Sequence, residues 1–559
     1  MKAFEGKEIT NSKLFNFRPM LFAAICFCLG ITFCYLYLFH GVSAWWLLCL
    51  FPLSGTPFLF CRSRRQFLQR IYAVLMLSCA FFLGFFSFSA RINDYQDCTH
   101  YNGSYYVVGK VTNVSYHGDL SIVTLDDLSI EENHPKGKLI AYLPTSVCEE
   151  FKLADKLLLH GKVRTLVECI DEGKFRASDI GGNVRYSCVS VTSVKRVGKA
   201  FDPFAMARNR MQERIYAGMD EEPASVTVAV LTGDSSGMDN GLLTNMRAGG
   251  IAHIFAVSGL HVGALFGFCL GILKCKPFRR IPSVVRFLLL AVLLFVYAGV
   301  CGFSPSIVRA AVICLIAYGA KLLLFGTDFL ESLGISALLI LLFQPTALFE
   351  VGFQLSFLSC LGIALLTRPI QTTLNGVCVK VRGIFPERKL TREQKKMIKR
   401  GNMPPPSIPE RIMRAIVSFV SVSLAAQIAT APVQMYVFGY FSPLALLLNC
   451  IFVPMLTCAF GVILLGAVIA AILPIDAAGW ILGIPSMLWS GILLLFEYMD
   501  FSKFVLSDWK IPIGAFISYY AGCTFVSDKW NLRKNAKRSI AIVCALTCIV
   551  CLLVANIRL

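Results

Sequence analysis

Long apolar runs separated by short basic loops dominate the pattern of this chain. Most runs have about 17 to 25 residues, the length that an α-helix needs to cross a bilayer. They lie near residues 19–39, 43–61, 70–90, 250–273, 286–303, 305–325, 329–344, 347–367, 412–435, 443–473, 477–499, 511–527 and 539–556. The pattern predicts a polytopic α-helical membrane protein with about 13 spans. The long run 443–473 contains Pro454 and is a candidate for a split or re-entrant helix.

One large polar block, residues 91–245, interrupts these runs. Between residues 100 and 198 apolar and polar positions alternate, as they do in half-buried strands. The predicted strands are Ser104–Asn113, Leu120–Ile130, Lys138–Leu143, Lys156–Leu166 and Val184–Val197. Five short strands in about a hundred residues predict a small β-barrel of OB type.

Barrels of this type often bind single-stranded nucleic acid through stacked aromatic rings and a basic groove. Residues 91–200 carry 14 basic and 14 acidic side chains, so the block as a whole is neutral. Four tyrosines offer either stacking faces or surface for packing on the membrane part: Tyr101, Tyr105, Tyr106 and Tyr116. Nucleic-acid contact and simple packing both stay open.

A helical pattern resumes after the strands. Asp202 and Pro203 are suited to the N-cap and first turn of a helix, and Phe204, Met211 and Ile215 follow on one face. We expect an amphipathic helix at the membrane interface. The predicted organisation is N-terminal membrane helices (1–90), an exported OB-like β domain (91–200), amphipathic and interfacial helices (201–245), and a transmembrane domain (246–559) with a cytoplasmic loop at 368–414.

The distribution of charged residues supports a membrane protein with the β domain outside and the basic loops in the cytoplasm. Only 16% of the residues are charged, against about 25% in soluble domains, which excludes a wholly soluble protein. The net charge of +19 is concentrated in loops between apolar runs, where basic residues mark the cytoplasmic side. We therefore expect a multi-pass protein of the inner (cytoplasmic) membrane with its N-terminus in the cytoplasm and residues 91–245 outside. The basic balance is not by itself a sign of nucleic-acid binding.

Most of the 22 cysteines lie in or beside apolar runs, where a thiol behaves as a small hydrophobe. Four lie in the polar block and are candidates for disulfide pairing if that block is exported: Cys98, Cys148, Cys169 and Cys188. The sequence does not select a connectivity.

Several hydrophilic side chains lie within or beside apolar runs, where charged groups cost roughly 2.5 to 3.5 kcal/mol at mid-span. They are Asp234, His253, Ser258, His261, Arg309, Gln354 and Asn449. Each alone is explained by a buried hydrogen bond. Together they offer enough polar surface to line or brace a hydrated passage in a helix bundle.

Four glycines recur at intervals of four residues directly after Ser258. They are Gly259, Gly263, Gly267 and Gly271, and they leave one helix face almost without side chains. Such a face favours close helix packing. A smooth wall beside a bulky translocated polymer is the functional alternative.

The chain lacks the motifs of two common chemistries. It contains no G-x-x-x-x-G-K-[ST] phosphate loop, and its seven histidines never occur as H-x-H. We therefore expect no cofactor, no metal and no enzymatic activity of either kind.

Five strings resemble the motifs of the ComEC family of competence channels. They are LTGD at 231–234, HIFAVSGLHVG at 253–263, SPSIVRA at 304–310, GFQLSF at 352–357 and FGYFSP at 438–443, the last followed by Asn449. The resemblance implies that residues 246–559 form a competence-type channel domain that admits one DNA strand to the cytoplasm during natural transformation. Its implied partners are single-stranded DNA, membrane lipid, a DNA receptor outside, a cytoplasmic ATP-driven motor or strand-binding protein, and further copies of the chain.

Many members of that family continue into a metallo-β-lactamase-like domain. This sequence ends at Leu559, just after its last predicted span, so we expect a form without that domain and assign it no strand degradation.

Two functions of other classes stay open. A transporter of small or lipid-linked substrates would use the same polar residues. An intramembrane serine hydrolase would use Ser258 as nucleophile, His253 or His261 as base and Asp234 to orient the base, although no G-x-S-x-G elbow surrounds Ser258.

Overall fold

The structure, a computed structural model, describes most of the chain. The described residues are 18–43, 64–117, 120–131, 133–148, 151–166, 177–251, 253, 258–322, 329–382, 408–472, 475–499, 501–507, 512–526 and 534–557. The helices are α1 (Pro19–His40), α2 (Arg64–Gln96), α3 (Thr145–Cys148), α4 (Ala177–Gly181), α5 (Pro203–Gly218), α6 (Glu221–Thr232), α7 (Asn240–Ala248), α8 (Gly259–Lys274), α9 (Ser283–Val300), α10 (Pro305–Leu322), α11 (Phe329–Phe343), α12 (Val351–Arg382), α13 (Ile408–Phe438), α14 (Ala445–Ile472), α15 (Ile475–Tyr498), α16 (Ile513–Val526) and α17 (Lys534–Ile557). Short 3₁₀ turns occupy Lys276–Phe278, Pro345–Phe349 and Phe501–Phe504.

Six of the described helices are long and apolar enough to cross a membrane, so this is a multi-pass membrane protein. They are α1, α9 and α10 and the segments Ile71–Gln96, Val351–Gly376 and Arg411–Phe438. Helix α14 bends by 44° between Ala445–Thr457 and Ala459–Ala471, in the run predicted to split. The count of about 13 spans stays a prediction, and most of the run 43–61 lies outside the described residues. Because α12 extends to Arg382 and α13 begins at Ile408, both helices enter the predicted loop 368–414.

The five predicted strands are confirmed: β1 (Asn102–His117), β2 (Leu120–Ile130), β3 (Lys138–Pro144), β4 (Asp155–Thr165) and β5 (Val184–Lys199). They pair in the order β1-β2-β3-β5-β4, and β1 also pairs with β4, so each strand has two partners and the sheet closes. Alternate residues such as Leu157, Leu159 and Val163 are fully buried inside it. A short second pairing joins β6 (Tyr440–Phe441) to β7 (Leu506–Ser507).

Three of the four candidate disulfide cysteines are described. Cys98, Cys148 and Cys188 are free thiols, so none of them is bonded to another of the three. Cys169 lies outside the described residues, and a pairing that involves it stays a prediction.

Helix α5 joins the strands to the membrane helices. Asp202 caps its first turn and forms an ion pair with Lys110 of β1 at 2.6 Å. Asn209 Nδ2 donates to the Leu153 carbonyl at 3.2 Å, and Arg210 Nε donates to the Ala471 carbonyl near the end of α14 at 2.8 Å. The predicted amphipathic helix is therefore present, with Met211 and Ile215 buried.

The membrane helices form two groups with separate apolar cores. The first group comprises α5–α10, α14 and α15. The second comprises α1, α2, α11, α12, α13 and α16 with the turn Pro345–Phe349. The two groups meet where α10 contacts α11 and α12, and where α13 contacts α14.

Glycine-mediated helix packing occurs at other glycines than the predicted ones. A Cβ added to Gly30 or Gly84 would overlap the facing backbone of α2 or α1, and one on Gly362 of α12 would lie 2.3 Å from Ala429 Cβ in α13. A Cβ on Gly263, Gly267 or Gly271 would meet no described atom within 4 Å, and one on Gly259 would meet only Ala310 at 3.5 Å. Within the described residues this face of α8 is exposed at Gly263, Gly267 and Gly271, so close packing at these three glycines stays a prediction.

Candidate functional site

Arg309 lies in the first turns of α10 and is buried, with 3% of its surface exposed. Its Nη2 lies 3.3 Å from the position that a Cβ would take on Gly352, in the first turn of α12. Glycine thus allows the guanidinium to approach the start of this helix. The Nε atom has no hydrogen-bond partner among the residues that the structure describes.

This arrangement places a cation against the positive end of a helix. The first backbone N–H groups of α12 have no acceptor within the helix, and the helix dipole favours negative charge there. The Glu350 carboxylate interacts electrostatically with Arg309 and supplies part of that charge. An arginine with a free donor beside a helix N-terminus is suited to bind an anion such as phosphate.

The β-strand block contacts the residues before α12 through its helix α4. A Cβ on Gly181, at the end of α4, would lie 2.7 Å from Glu350 Oε1 and 3.0 Å from Thr346 Oγ1. Gln344 Nε2 donates to Glu350 Oε1 at 2.9 Å, which fixes the carboxylate. On the other side, Arg91 of α2 donates to the Ile180 carbonyl at 3.0 Å. The Arg309 region is therefore the junction between the block and the two helix groups.

Gln354 belongs to the same junction. Its Nε2 donates to the Leu348 carbonyl at 3.1 Å, and its backbone N–H donates to the Glu350 carbonyl at 3.1 Å. The structure thus brings Arg309 and Gln354 together at the start of α12. Among the other predicted site residues, Ser258 and His261 contact each other at the start of α8, away from this junction.

Asp234 follows the C-terminus of α6 and forms an ion pair with Arg208 of α5. It accepts from Arg208 Nη2 at 3.2 Å, from Gln212 Nε2 at 3.0 Å and from the Ser236 backbone at 3.2 Å. Helix α5 supplies both side-chain donors. Arg208 and Gln212 are four residues apart, a spacing that places both on one helix face and is visible in the sequence.

We expect Asp234 to make stability depend on pH. Burial by itself raises the pKa of this carboxyl, but hydrogen bonds from Ser236 and Gln212 and the Arg208 charge lower its pKa overall. The ionised group therefore stabilises the α5–α6 junction, by about 2 kcal/mol, above the usual pKa near 4. Its contribution is lost as the pH falls below about 4 toward the lowered value. Thermal unfolding of wild type and Asp234→Asn should differ at pH 7 and converge at low pH, whereas a constant difference would contradict this assignment.

Ser258 and His261 form the cap of α8. The Ser258 backbone N–H donates to His261 Nδ1 at 2.9 Å, and the Ser258 hydroxyl lies 3.2 Å from the same nitrogen. Because Nδ1 accepts, the proton of a neutral ring is inferred to lie on Nε2. The ring has no exposed surface and packs on Phe460 of α14 at 4.9 Å. His261 is thus a capping residue within the first apolar core.

The described contacts say less about His253 and Asn449 than about the other predicted site residues. His253 is exposed, and its neighbours at 252 and 254–257 lie outside the described residues. Asn449 is buried in α14, and its Oδ1 has no partner in the described part of the chain. A Cβ on Gly250 would lie 2.4 Å from Ala445 Cβ, so the segment before His253 packs on the start of α14.

Two tyrosines that the sequence analysis did not select bind backbone carbonyls of α13 near Pro432. Pro432 has no N–H, so the Ile428 carbonyl lacks its helical donor. Tyr519 Oη of α16 donates to that carbonyl at 2.7 Å, and Tyr520 Oη donates to the Ala429 carbonyl at 2.9 Å. Pro432 was the available signal, since a proline within a span leaves a carbonyl that a neighbouring helix can satisfy.

Over the described residues, His, Cys, Asp and Glu side chains form no group of three or more able to hold a metal ion. The charged contacts at the two sites are ion pairs and hydrogen bonds. Their chemistry is that of anion contact and structural support.

Comparison with known proteins gives a family. A family model described as Competence protein matches residues 230–532, more than half of the chain. The chain is similar to ComE operon protein 3 of Bacillus subtilis (strain 168), with 26% identity over 237 residues, 42% of this chain and 25% of that protein. It is also similar to an uncharacterized protein of Mycoplasma pneumoniae described as an MG316 homolog, with 32% identity over 141 residues, 23% of this chain and 34% of that protein.

These alignments span about a quarter and a third of the length of the two relatives. No solved structure matches the chain. The matched region contains Asp234, Ser258, Arg309, Gln354 and Asn449, and thus both the α12 junction and the α8 cap. With its motifs and its family match in agreement, this multi-pass membrane protein belongs to the competence protein (ComEC) family.

Proposed function

We propose that this protein conducts a single strand of DNA across the cytoplasmic membrane into the cell during natural transformation. The observation that carries the proposal is Arg309, a buried cation that faces the start of α12 beside Glu350, the residue that the strand block approaches through Gly181. A phosphodiester leaving the block would meet this guanidinium first. Family membership supports a role in DNA uptake.

The proposed passage runs between the two helix groups, along α10 and α12. Tyr318 near the end of α10 and Ser356 near the start of α12 are only half-buried among the described residues, as expected beside a space that can hydrate. Arg309 and Gln354 line its outer end in this proposal, and His253, Ser258 and Asn449 lie farther along it. Asp234 and His261 brace the walls, and the open glycine face of α8 provides a smooth surface.

In this proposal the strand block is an OB-type barrel on the outer side, and the N-terminus is cytoplasmic. The basic loops between apolar runs support that orientation. Lipid surrounds the helices, a receptor delivers DNA from outside, and association of several copies is compatible with the exposed apolar helix faces.

Inward movement of DNA requires a source of energy. Each phosphate that crosses against a negative-inside potential costs about 2.3 kcal/mol per 100 mV. We therefore propose a cytoplasmic ATP-driven motor or strand-binding protein as partner. The basic segment 368–414 is its proposed docking region.

The hydrolase alternative is not favoured by the contacts of its three residues. Asp234 accepts from Arg208 and Gln212, and His261 Nδ1 is occupied by the Ser258 backbone. A pair of substitutions at His261 tests its role as the cap of α8. His261→Gln keeps a hydrogen-bond acceptor at this position, whereas His261→Leu removes it. We expect His261→Gln to retain uptake of labelled DNA near the wild-type level and His261→Leu to unfold about 1 kcal/mol more easily than His261→Gln. Loss of uptake in a folded His261→Gln protein would show that the imidazole itself acts.

Reconstitution separates the channel from a transporter of small or lipid-linked substrates. The purified chain in liposomes should carry an ionic current that an added DNA single strand reduces as it occupies the passage. Arg309→Gln should weaken this block, with Lys321→Gln at the other end of α10 as the matched control. Flux of a small solute or lipid-linked substrate without any response to DNA would favour the transporter.

A further inference from the structure

The strand block is neutral overall, but its charges are segregated. Strands β1, β4 and β5 together contain eight basic side chains and one acidic side chain. The acidic residue is Asp155, which is 1% exposed and paired with Arg196 at 3.2 Å. Of the eight basic side chains only Arg185 is buried, so the outer surface of these three adjacent strands is basic.

The outward residues of β4 define this surface. Burial alternates along the strand, so His160, Lys162 and Arg164 point outward in succession. In the strand register, Tyr106 of β1 lies opposite His160 and Lys195 of β5 lies opposite Leu158. We call the set Tyr106, His160, Lys162, Arg164 and Lys195 the β4 face.

Tyr106 and His160 form a close, tilted ring pair at the surface. Their ring centroids are 4.4 Å apart with an interplanar angle of 34°, and 57% of Tyr106 is exposed. The Thr192 hydroxyl donates its hydrogen to the His160 carbonyl at 3.0 Å, so His160 Nδ1–H is the donor in the 2.7 Å contact with Thr192 Oγ1. The imidazole is thereby held in place behind the tyrosine, which offers a rigid ring face to solvent.

The cations of the β4 face differ from the other cations of the block. Lys110, Lys138 and Lys156 each lie within 4 Å of a carboxylate. Lys162, Arg164 and Lys195 form no ion pair with any carboxylate in the described residues, and all three are exposed. Unpaired cations two residues apart beside an exposed aromatic ring are what a nucleic-acid single strand requires, since phosphates need the charge and bases need a stacking surface.

We infer that the β4 face binds single-stranded DNA, with a base stacked on Tyr106 and phosphates at Lys162 and Arg164. The choice of DNA as ligand rests on the proposed function, whereas the face itself is defined by the side chains of the block. A strand held here lies on the block that approaches Glu350, the electrostatic partner of Arg309, through Gly181. The β4 face would thus hold the incoming strand before it reaches the proposed passage.

Fluorescence anisotropy with a labelled 20-nucleotide oligo-dT tests this inference on the full chain in phosphatidylcholine nanodiscs. Tyr106→Ala should weaken binding about tenfold. The double variant Lys162→Ala with Arg164→Ala should lower the slope of log affinity against log salt by about 1.4, because each lost single-strand phosphate contact removes about 0.7. Lys136→Ala with Lys138→Ala removes the same charge beside another strand and should leave the affinity within about twofold of wild type.

Wild-type binding by both β4-face variants would overturn the inference, as would an equal loss in the Lys136 and Lys138 control. Loss of binding to phosphatidylglycerol vesicles with unchanged oligo-dT affinity would assign the face to lipid and also overturn it. Failure of the channel proposal would show itself differently. Arg309→Gln would then internalise DNA normally while oligo-dT binding at the β4 face persists.

Discussion

Replacement of Arg309 by glutamine is expected to reduce internalisation of labelled DNA at least tenfold, while DNA still binds at the cell surface. The guanidinium is buried, carries an unused Nε donor and faces the positive end of α12, so a passing phosphate gains a charge-assisted hydrogen bond there. Loss of one such contact costs about 1.5 to 3 kcal/mol, roughly ten- to a hundredfold. Uptake of DNA into a nuclease-protected pool measures the effect.

Arg309→Lys is the matched variant, since it keeps the charge and loses the planar fork of donors. We expect it to retain part of the uptake that Arg309→Gln loses. Both proteins should be present in the membrane at wild-type abundance. Normal uptake by a well-expressed Arg309→Gln protein would remove this residue from the passage.

The substitution Gly362→Ala is expected to destabilise the membrane domain by about 1 to 3 kcal/mol, the usual cost of overpacking. The new Cβ would lie 2.3 Å from Ala429 Cβ and 2.8 Å from the Ala425 carbonyl oxygen, so α12 and α13 would have to separate. Thermal unfolding of the purified protein in detergent measures the loss.

Gly267→Ala is the control for that prediction. It adds the same methyl group to a helix face that has no described atom within 4 Å. Because alanine is favoured over glycine in a helix by up to about 1 kcal/mol, this variant should be as stable as wild type or more so. If Gly267→Ala were the more damaging change, the glycine face of α8 would be a packing surface after all.

Much of the fold follows from local pattern. Apolar length predicts the membrane helices, alternation predicts five strands to within a few residues, and Asp202-Pro203 predicts the start of α5. Each of these features depends on residues that are close together in the sequence, so their spacing can be read from it directly. The candidate site is harder to predict from the sequence, because its contacts join residues that are far apart in the chain. Gly181 and Glu350 are an example.

Particular residues show this limit. Asp234 and Arg309 are both unusual in sequence, yet Asp234 pairs with Arg208 because α5 folds back over α6. In the sequence His261 resembles a passage or catalytic residue. In the structure its ring accepts a hydrogen bond from the Ser258 backbone and caps the start of α8. Glycines at regular spacing suggest packing, but packing needs a facing helix, and α13 faces Gly362 instead.

The sequence by itself therefore determined that this is a multi-pass membrane protein with a five-stranded block and competence-family motifs, because hydrophobic period and turn chemistry act over short distances. Only the tertiary structure decided that Arg309 faces the start of α12, and that a neutral block carries a basic face. Both depend on which distant elements meet. Composition counts the charges of a segment but does not say where they lie in space or which of them are paired.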